Sequence, residues 1–177
     1  PLGGSLGNER AIAISQLTPL LLRGEQSVSS WADSRLPEAE SHTLQRIQAM
    51  YANDPFFSDR LTQALKSQKI ADAQGNMQGK KARGGAERFK SELQSAARFL
   101  TTPSGPRIAV VESGGWDTHA NQGTTGGALA KRLSMLDSGL ADLKIGMGPS
   151  WDDTAVLVVT EFGRTMRVKG KRGTDSC

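Results

Sequence analysis

Two short stretches of this chain carry side chains that can do ester or metal chemistry. The first is Glu112-Ser113-Gly114-Gly115-Trp116-Asp117-Thr118-His119, and the second is Thr160-Glu161-Phe162-Gly163-Arg164-Thr165. Asp117 and His119 are two residues apart, so on an extended backbone they project to the same side and can share one cation. Glu161 would arrive from a neighbouring strand. A carboxylate, imidazole and carboxylate set suits a hard or borderline divalent ion, namely Zn²⁺, Mn²⁺, Mg²⁺ or Ca²⁺. Arg164 stands three residues after Glu161, where its planar fork can grip a phosphate, sulfate or carboxylate through two hydrogen bonds. Each residue also has an ordinary reading: a surface histidine, an aspartate capping a turn after glycines, and a Glu161–Arg164 ion pair bracing a loop. The weight comes from finding both clusters at the same ends of two inferred strands.

Those strands follow from the hydrophobic pattern. Ile108-Ala109-Val110-Val111 is a short β-branched run, and Ala155-Val156-Leu157-Val158-Val159 is another. Between them Leu129, Leu133, Leu136, Leu140, Leu143 and Met147 recur every three or four residues, the period of a helix with one apolar face. Thr124 and Thr125 are candidate caps at its start, and Gly146, Gly148 and Pro149 close it. Continuous apolar strands joined by one crossover helix predict adjacent parallel strands in a right-handed unit over residues 107–162. Ligands of open parallel sheets bind beyond the carboxyl ends of the strands, where helix N-termini also point. Both clusters lie at that edge. The leucine stripe spans less than four heptads, so it reads as core packing and not as a helix-pairing seam.

Upstream, Ala11-Ile12-Ala13-Ile14-Ser15 predicts a short buried strand, and residues 17–22 are apolar but broken by Pro19. Residues 27–37 read as a loop around Trp31. Helices are expected after Ser41, a candidate N-cap, through Leu44, Ile47 and Tyr51, and from a Ser58-Asp59 start signal, through Leu61 and Leu65. Residues 75–85 hold four glycines and three cations and predict a mobile surface loop. Phe89, Leu93, Ala96, Ala97 and Leu100 mark a third helix, stopped by Thr101-Thr102-Pro103-Ser104-Gly105-Pro106.

Composition narrows the function classes. The chain of 177 residues is 37% hydrophobic, and its 20 glycines lift the apolar share to about 48%, an ordinary globular value. A single domain over residues 1–177 is expected at this length. The longest apolar stretch, at residues 155–159, is far too short for a membrane span. Cys177 is the only cysteine, so neither an intrachain disulfide nor a cysteine metal cage can form. Of 22 basic residues, Arg164, Arg167, Lys169, Lys171 and Arg172 lie close together, so the 17 in residues 1–163 meet 17 of the 18 acidic residues. That run contains no aromatic side chain on which bases could stack, and it supports no specific nucleic-acid partner.

Weaker motifs fall away on mechanism. Gly3-Gly4-Ser5-Leu6-Gly7 has the letters of a nucleophile elbow but no room for the strand that must precede it. Gly79-Lys80-Lys81 lacks the first glycine and the hydroxyl of a phosphate loop. His42 begins a helix and reads as a solvated first-turn residue.

Several separated motifs resemble the bacterial family of domain of unknown function 1501. They are Gly115-Trp116-Asp117-Thr118-His119 with Asn121-Gln122-Gly123, then Leu136-Asp137 with Gly139-Leu140, then Thr160-Glu161-Phe162-Gly163-Arg164-Thr165, and finally Gly173-Thr174-Asp175. Pro19-Leu20 with Leu22-Arg23-Gly24 is similar too. The resemblance runs through nearly the whole chain. It implies a three-layer, parallel-sheet α/β fold like that of alkaline phosphatases and sulfatases, here incomplete at both ends. It also implies export by a twin-arginine signal, to the periplasm or outside the cell, and metal-dependent hydrolysis of phosphate or sulfate esters.

By the same resemblance Asp117 and His119 are a metal-ligand pair, Glu161 a ligand from a second strand end, and Asp175 the acid of an Asp-His-Gly motif. The chain departs from the pattern in three places. A Gly-Gly-x-Asp-Gly strand end expected upstream of Pro1 is missing, Ser176 and Cys177 replace the His and Gly after Asp175, and Lys169 stands where Asn is typical. The expectation is therefore the middle portion of an exported hydrolase whose substrate is a small anionic ester, inactive as this piece alone. The competing class is a noncatalytic binding or structural exported protein that keeps the fold.

Overall fold

In a computed structural model, residues 10–26, 28–32, 39–72, 84–167 and 173–174 are described. The elbow-like letters at residues 3–7, residues 75–83 of the expected loop, Lys169, Lys171, Arg172 and Asp175 lie outside them. The chain is mixed α/β and divides into two compact units, one of residues 1–81 and 98–111, the other of residues 82–97 and 112–177.

The first unit is built on a small parallel sheet of β1 (Ala11–Ile14), β2 (Val28–Trp31) and β3 (Ile108–Val110), in the order β2-β1-β3. All four residues of β1 are buried, as a strand flanked on both sides must be. Ile12 aligns with Ser29 on one side and Ala109 on the other, and Ile14 aligns with Trp31. Ile12 and Ile14 are among the largest fully buried side chains, and each contributes about 1.5–3 kcal/mol by leaving water. The expected loop around Trp31 is thus corrected to a strand. β2 is an edge strand held by backbone pairing, so two serines in its four residues do not prevent it. Its Trp31 ring meets Phe99 edge-on at 5.8 Å. Residues 20–22 form a single 3-10 turn after Pro19.

Two helices complete the described part of this unit. α1 (Ser41–Tyr51) already includes Ser41, so the N-cap position is Glu40 instead of Ser41, and no side chain caps the helix. α2 (Pro55–Asp72) begins three residues before the Ser58-Asp59 signal. Asp54 accepts a hydrogen bond from the Phe57 N–H at 3.2 Å, and Pro55 takes the first helical position, where its missing N–H costs nothing. At the other end Arg98 Nη1 donates to the Ala71 carbonyl at 2.9 Å, satisfying an oxygen of the last turn.

The second unit contains most of α3 (Gly85–Thr101) and all of α4 (Ala128–Met147). Phe89, Leu93, Ala96 and Ala97 of α3 are buried, as are Gly139, Leu143 and Met147 of α4. The helices meet through two glycine notches. A Cβ at Gly139 would lie 2.7 Å from Leu93 Cδ1, and one at Gly146 would lie 2.8 Å from Ala97 Cβ. Lys90 Nζ and Asp142 Oδ2, 2.9 Å apart, bridge the same pair. The leucine stripe is only partly core, since Leu133 is exposed.

The strand expected at residues 155–159 is not formed. Those residues join no ladder among the described residues, and Leu157 and Val159 are 85% and 74% exposed. An apolar run creates a demand for burial, but a strand also needs an edge with which to exchange hydrogen bonds. β3 pairs instead with β1, so residues 107–162 hold a strand, the helix α4, a 3-10 helix at Gly148–Asp153 and then a segment without regular secondary structure.

Candidate functional site

Asp117 and His119 lie in the second unit, on a loop whose path is set by tight turns. Backbone φ is +79° at Gly115, +53° at Asn121 and +73° at Gly123, all in the left-handed region. Gly115 has a second constraint. The Arg132 guanidinium, reaching from α4, occupies the space of any Cβ there while its Nη1 donates to the Gly114 carbonyl at 2.8 Å. The indole N–H of Trp116 donates to Ser113 Oγ at 3.1 Å.

Between these turns the chain alternates in exposure. Thr118 is buried at 8% exposure, while the side chains of Asp117 and His119 are about half exposed, at 52% and 55%. As their spacing predicts, the flanking pair come together, with His119 Nε2 2.8 Å from Asp117 Oδ1. Two bonds of about 2.0–2.1 Å to one Zn²⁺ would set their donor atoms roughly 3.3 Å apart at a tetrahedral angle. A small widening of the observed pair therefore fits two corners of such an ion. Glu161 is exposed, and no group of three or more His, Cys, Asp or Glu that could hold a metal forms among the described residues.

Arg164 is half-buried and reaches into the loop from the far end of the unit's sequence. Its Nη1 donates to Thr118 Oγ1 at 2.9 Å, Gln122 Oε1 at 3.0 Å and Thr174 Oγ1 at 2.7 Å, and its Nη2 donates to the Trp116 carbonyl. The acceptors are tied together as well. Thr118 Oγ1 donates to Gln122 Oε1 at 3.1 Å, and Thr174 Oγ1 donates to the same oxygen at 2.7 Å. Phe162 places its ring 5.9 Å from the guanidinium carbon. An anion grip by Arg164 would fall to Nε–H and the second Nη2 hydrogen, since the other donors are spent on protein oxygens.

Gly173 and Thr174 close the arrangement. Thr174 is 6% exposed, and a Cβ at Gly173 would overlap the His119 carbonyl and come 2.6 Å from the Thr118 oxygen. Thr118, Gln122, Thr174, Gly173 and Arg132 carry no chemistry-bearing pattern in the sequence. Their only signal is that all but Arg132 fall within the motifs shared with the resembled family.

Residues 14–176 match the sequence profile of a family described as Protein of unknown function (DUF1501). No curated protein and no solved structure gives a match. With nearly the whole chain matched, and with the Gly115–His119, Glu161–Arg164 and Gly173–Thr174 motifs inside the matched span, this chain belongs to the DUF1501 family.

Proposed function

We propose that the intact protein is a divalent-metal-dependent hydrolase of phosphate or sulfate esters, of alkaline-phosphatase-like architecture and exported from the cell. The reading is supported by one observation above the others: a carboxylate and an imidazole, 2.8 Å apart and half exposed, on a loop held by a part-buried polar network. Asp117 and His119 would hold the ion, with Glu161 and Asp175 as the further ligands. A bound Zn²⁺, Mn²⁺, Mg²⁺ or Ca²⁺ would polarise an ester oxygen and make a bound water more acidic. The small three-stranded sheet is consistent with part of a larger parallel sheet.

A noncatalytic exported binding or structural protein is the second reading. It is favoured by Arg164, whose Nη1 donors and one Nη2 hydrogen are engaged within the protein, and by Glu161, which joins no three-donor group among the described residues.

Titration of the full-length protein with Zn²⁺ and with Mn²⁺ in a calorimeter tests the first reading, alongside Asp117→Ala and His119→Ala. Binding weakened by both substitutions, with metal-dependent cleavage of a chromogenic phosphate or sulfate ester, is the expected result. Unchanged affinity in both variants removes the metal assignment. Metal binding without turnover moves the protein to the second reading.

A further inference from the structure

We propose that Arg164 is a positioning residue for the Asp117–His119 pair, acting through a clamp completed by Gln122 and Thr174. The inference rests on the metal reading for what the pair binds, but its geometry stands independently. Arg164 holds the residue on each side of Asp117: the Trp116 carbonyl before it and the Thr118 hydroxyl after it. Through Gln122 it also fixes the far side of His119. With Thr118 buried and pinned, its two neighbours are presented outward together.

Thr174 is the third arm. Its hydroxyl accepts from Arg164 and donates to Gln122, while Gly173 lies against the His119 backbone. The clamp therefore ties three separated segments to the two residues whose spacing matters. Only arginine suits this position, because its planar donors meet acceptors lying in different directions. A lysine ammonium has three donors at a single point and cannot reach the Trp116 carbonyl and the Thr118, Gln122 and Thr174 oxygens together. The four acceptors are all neutral oxygens, and the nearby Asp117 carboxylate contacts His119. The guanidinium thus orients the pair's backbone without competing for its carboxylate.

The test uses Mn²⁺ binding to the full chain, read by calorimetry, in Arg164→Lys, Thr174→Val and Leu143→Ala. Leu143→Ala is the control for lost stability, since it empties a buried position in α4 of the same unit. Partners that orient metal ligands typically matter by about 10- to 100-fold in affinity. Arg164→Lys should weaken Mn²⁺ binding within that range and Thr174→Val by less, while Leu143→Ala lowers the melting temperature and leaves affinity unchanged. Wild-type affinity in Arg164→Lys and Thr174→Val overturns the proposal; if Arg164→Lys does not fold, Thr174→Val decides.

A wild-type chain that binds neither Mn²⁺ nor Zn²⁺ ends the metal reading and leaves the clamp to a second measurement. The ¹⁵N resonances of the His119 imidazole at fixed pH should then move in Arg164→Lys and Thr174→Val but not in Leu143→Ala. Resonances unchanged in all three variants overturn the clamp as well.

Discussion

Gly173 lies so close to the backbone of His119 that no side chain can be added at position 173 without moving one of the two segments. The atoms in the way are main-chain carbonyls, which cannot rotate aside as a side chain could. The neighbouring Thr174 hydroxyl, bound to Arg164 and Gln122, must move with Gly173. Gly173→Ala should therefore destabilise the protein by about 1–3 kcal/mol, the range for overpacking a tight contact. Denaturant unfolding measures this, and a change below about 0.5 kcal/mol, as expected of an ordinary surface substitution, would show that the contact yields easily.

Gly146 and Ala97 make the corresponding contact between α4 and α3. On helix propensity alone Gly146→Ala would stabilise α4 by about 1 kcal/mol. The new methyl would come 2.8 Å from Ala97 Cβ, an atom fixed to its backbone, so the helices must separate. A net loss of stability is the expected result. Gly139→Ala should cost less, because it meets the ends of Leu93 and Phe89, which can turn. A double-mutant cycle with Ala97→Gly should show favourable coupling with Gly146→Ala; additive effects would place the cost elsewhere.

How much could be read in advance depended on whether the determining interaction was local. β1 was legible because four consecutive apolar residues in a central strand need burial on both faces. β2 was not, because an edge strand is specified by its partner's backbone and leaves little trace in Val28, Ser29, Ser30 and Trp31. At residues 155–159 the apolar run was visible, but nothing local could say whether a strand edge would receive it. The Asp117–His119 pair was legible from a spacing of two. Arg164's partners were not, since Thr118 and Gln122 lie 46 and 42 residues away, and a buried threonine has no periodicity to betray it.

The start of α2 provides a local prediction. Asp54 caps the Phe57 N–H directly before Pro55, so Asp54→Ala leaves that donor without its side-chain acceptor. Stability should fall by about 1 kcal/mol, the usual cost of losing an N-cap, and Asp54→Asn should restore most of it because the amide oxygen can accept the same bond. Equal stability of Asp54→Ala and wild type in thermal unfolding would mean that water serves this N–H equally well.

The sheet makes a contrasting prediction about two isoleucines in paired strands. Ile12, in the middle of the sheet, is 1% exposed, whereas Ile108, on β3, is 53% exposed. Ile12→Ala removes buried methyl groups and leaves a cavity that flanking strands cannot collapse without breaking their ladders, for a cost of about 2–5 kcal/mol. Ile108→Ala empties space that solvent already shares, and its cost should be well below that of Ile12→Ala. If denaturant unfolding instead gives a comparable large loss for Ile108→Ala, the outer face of β3 is covered in the folded protein.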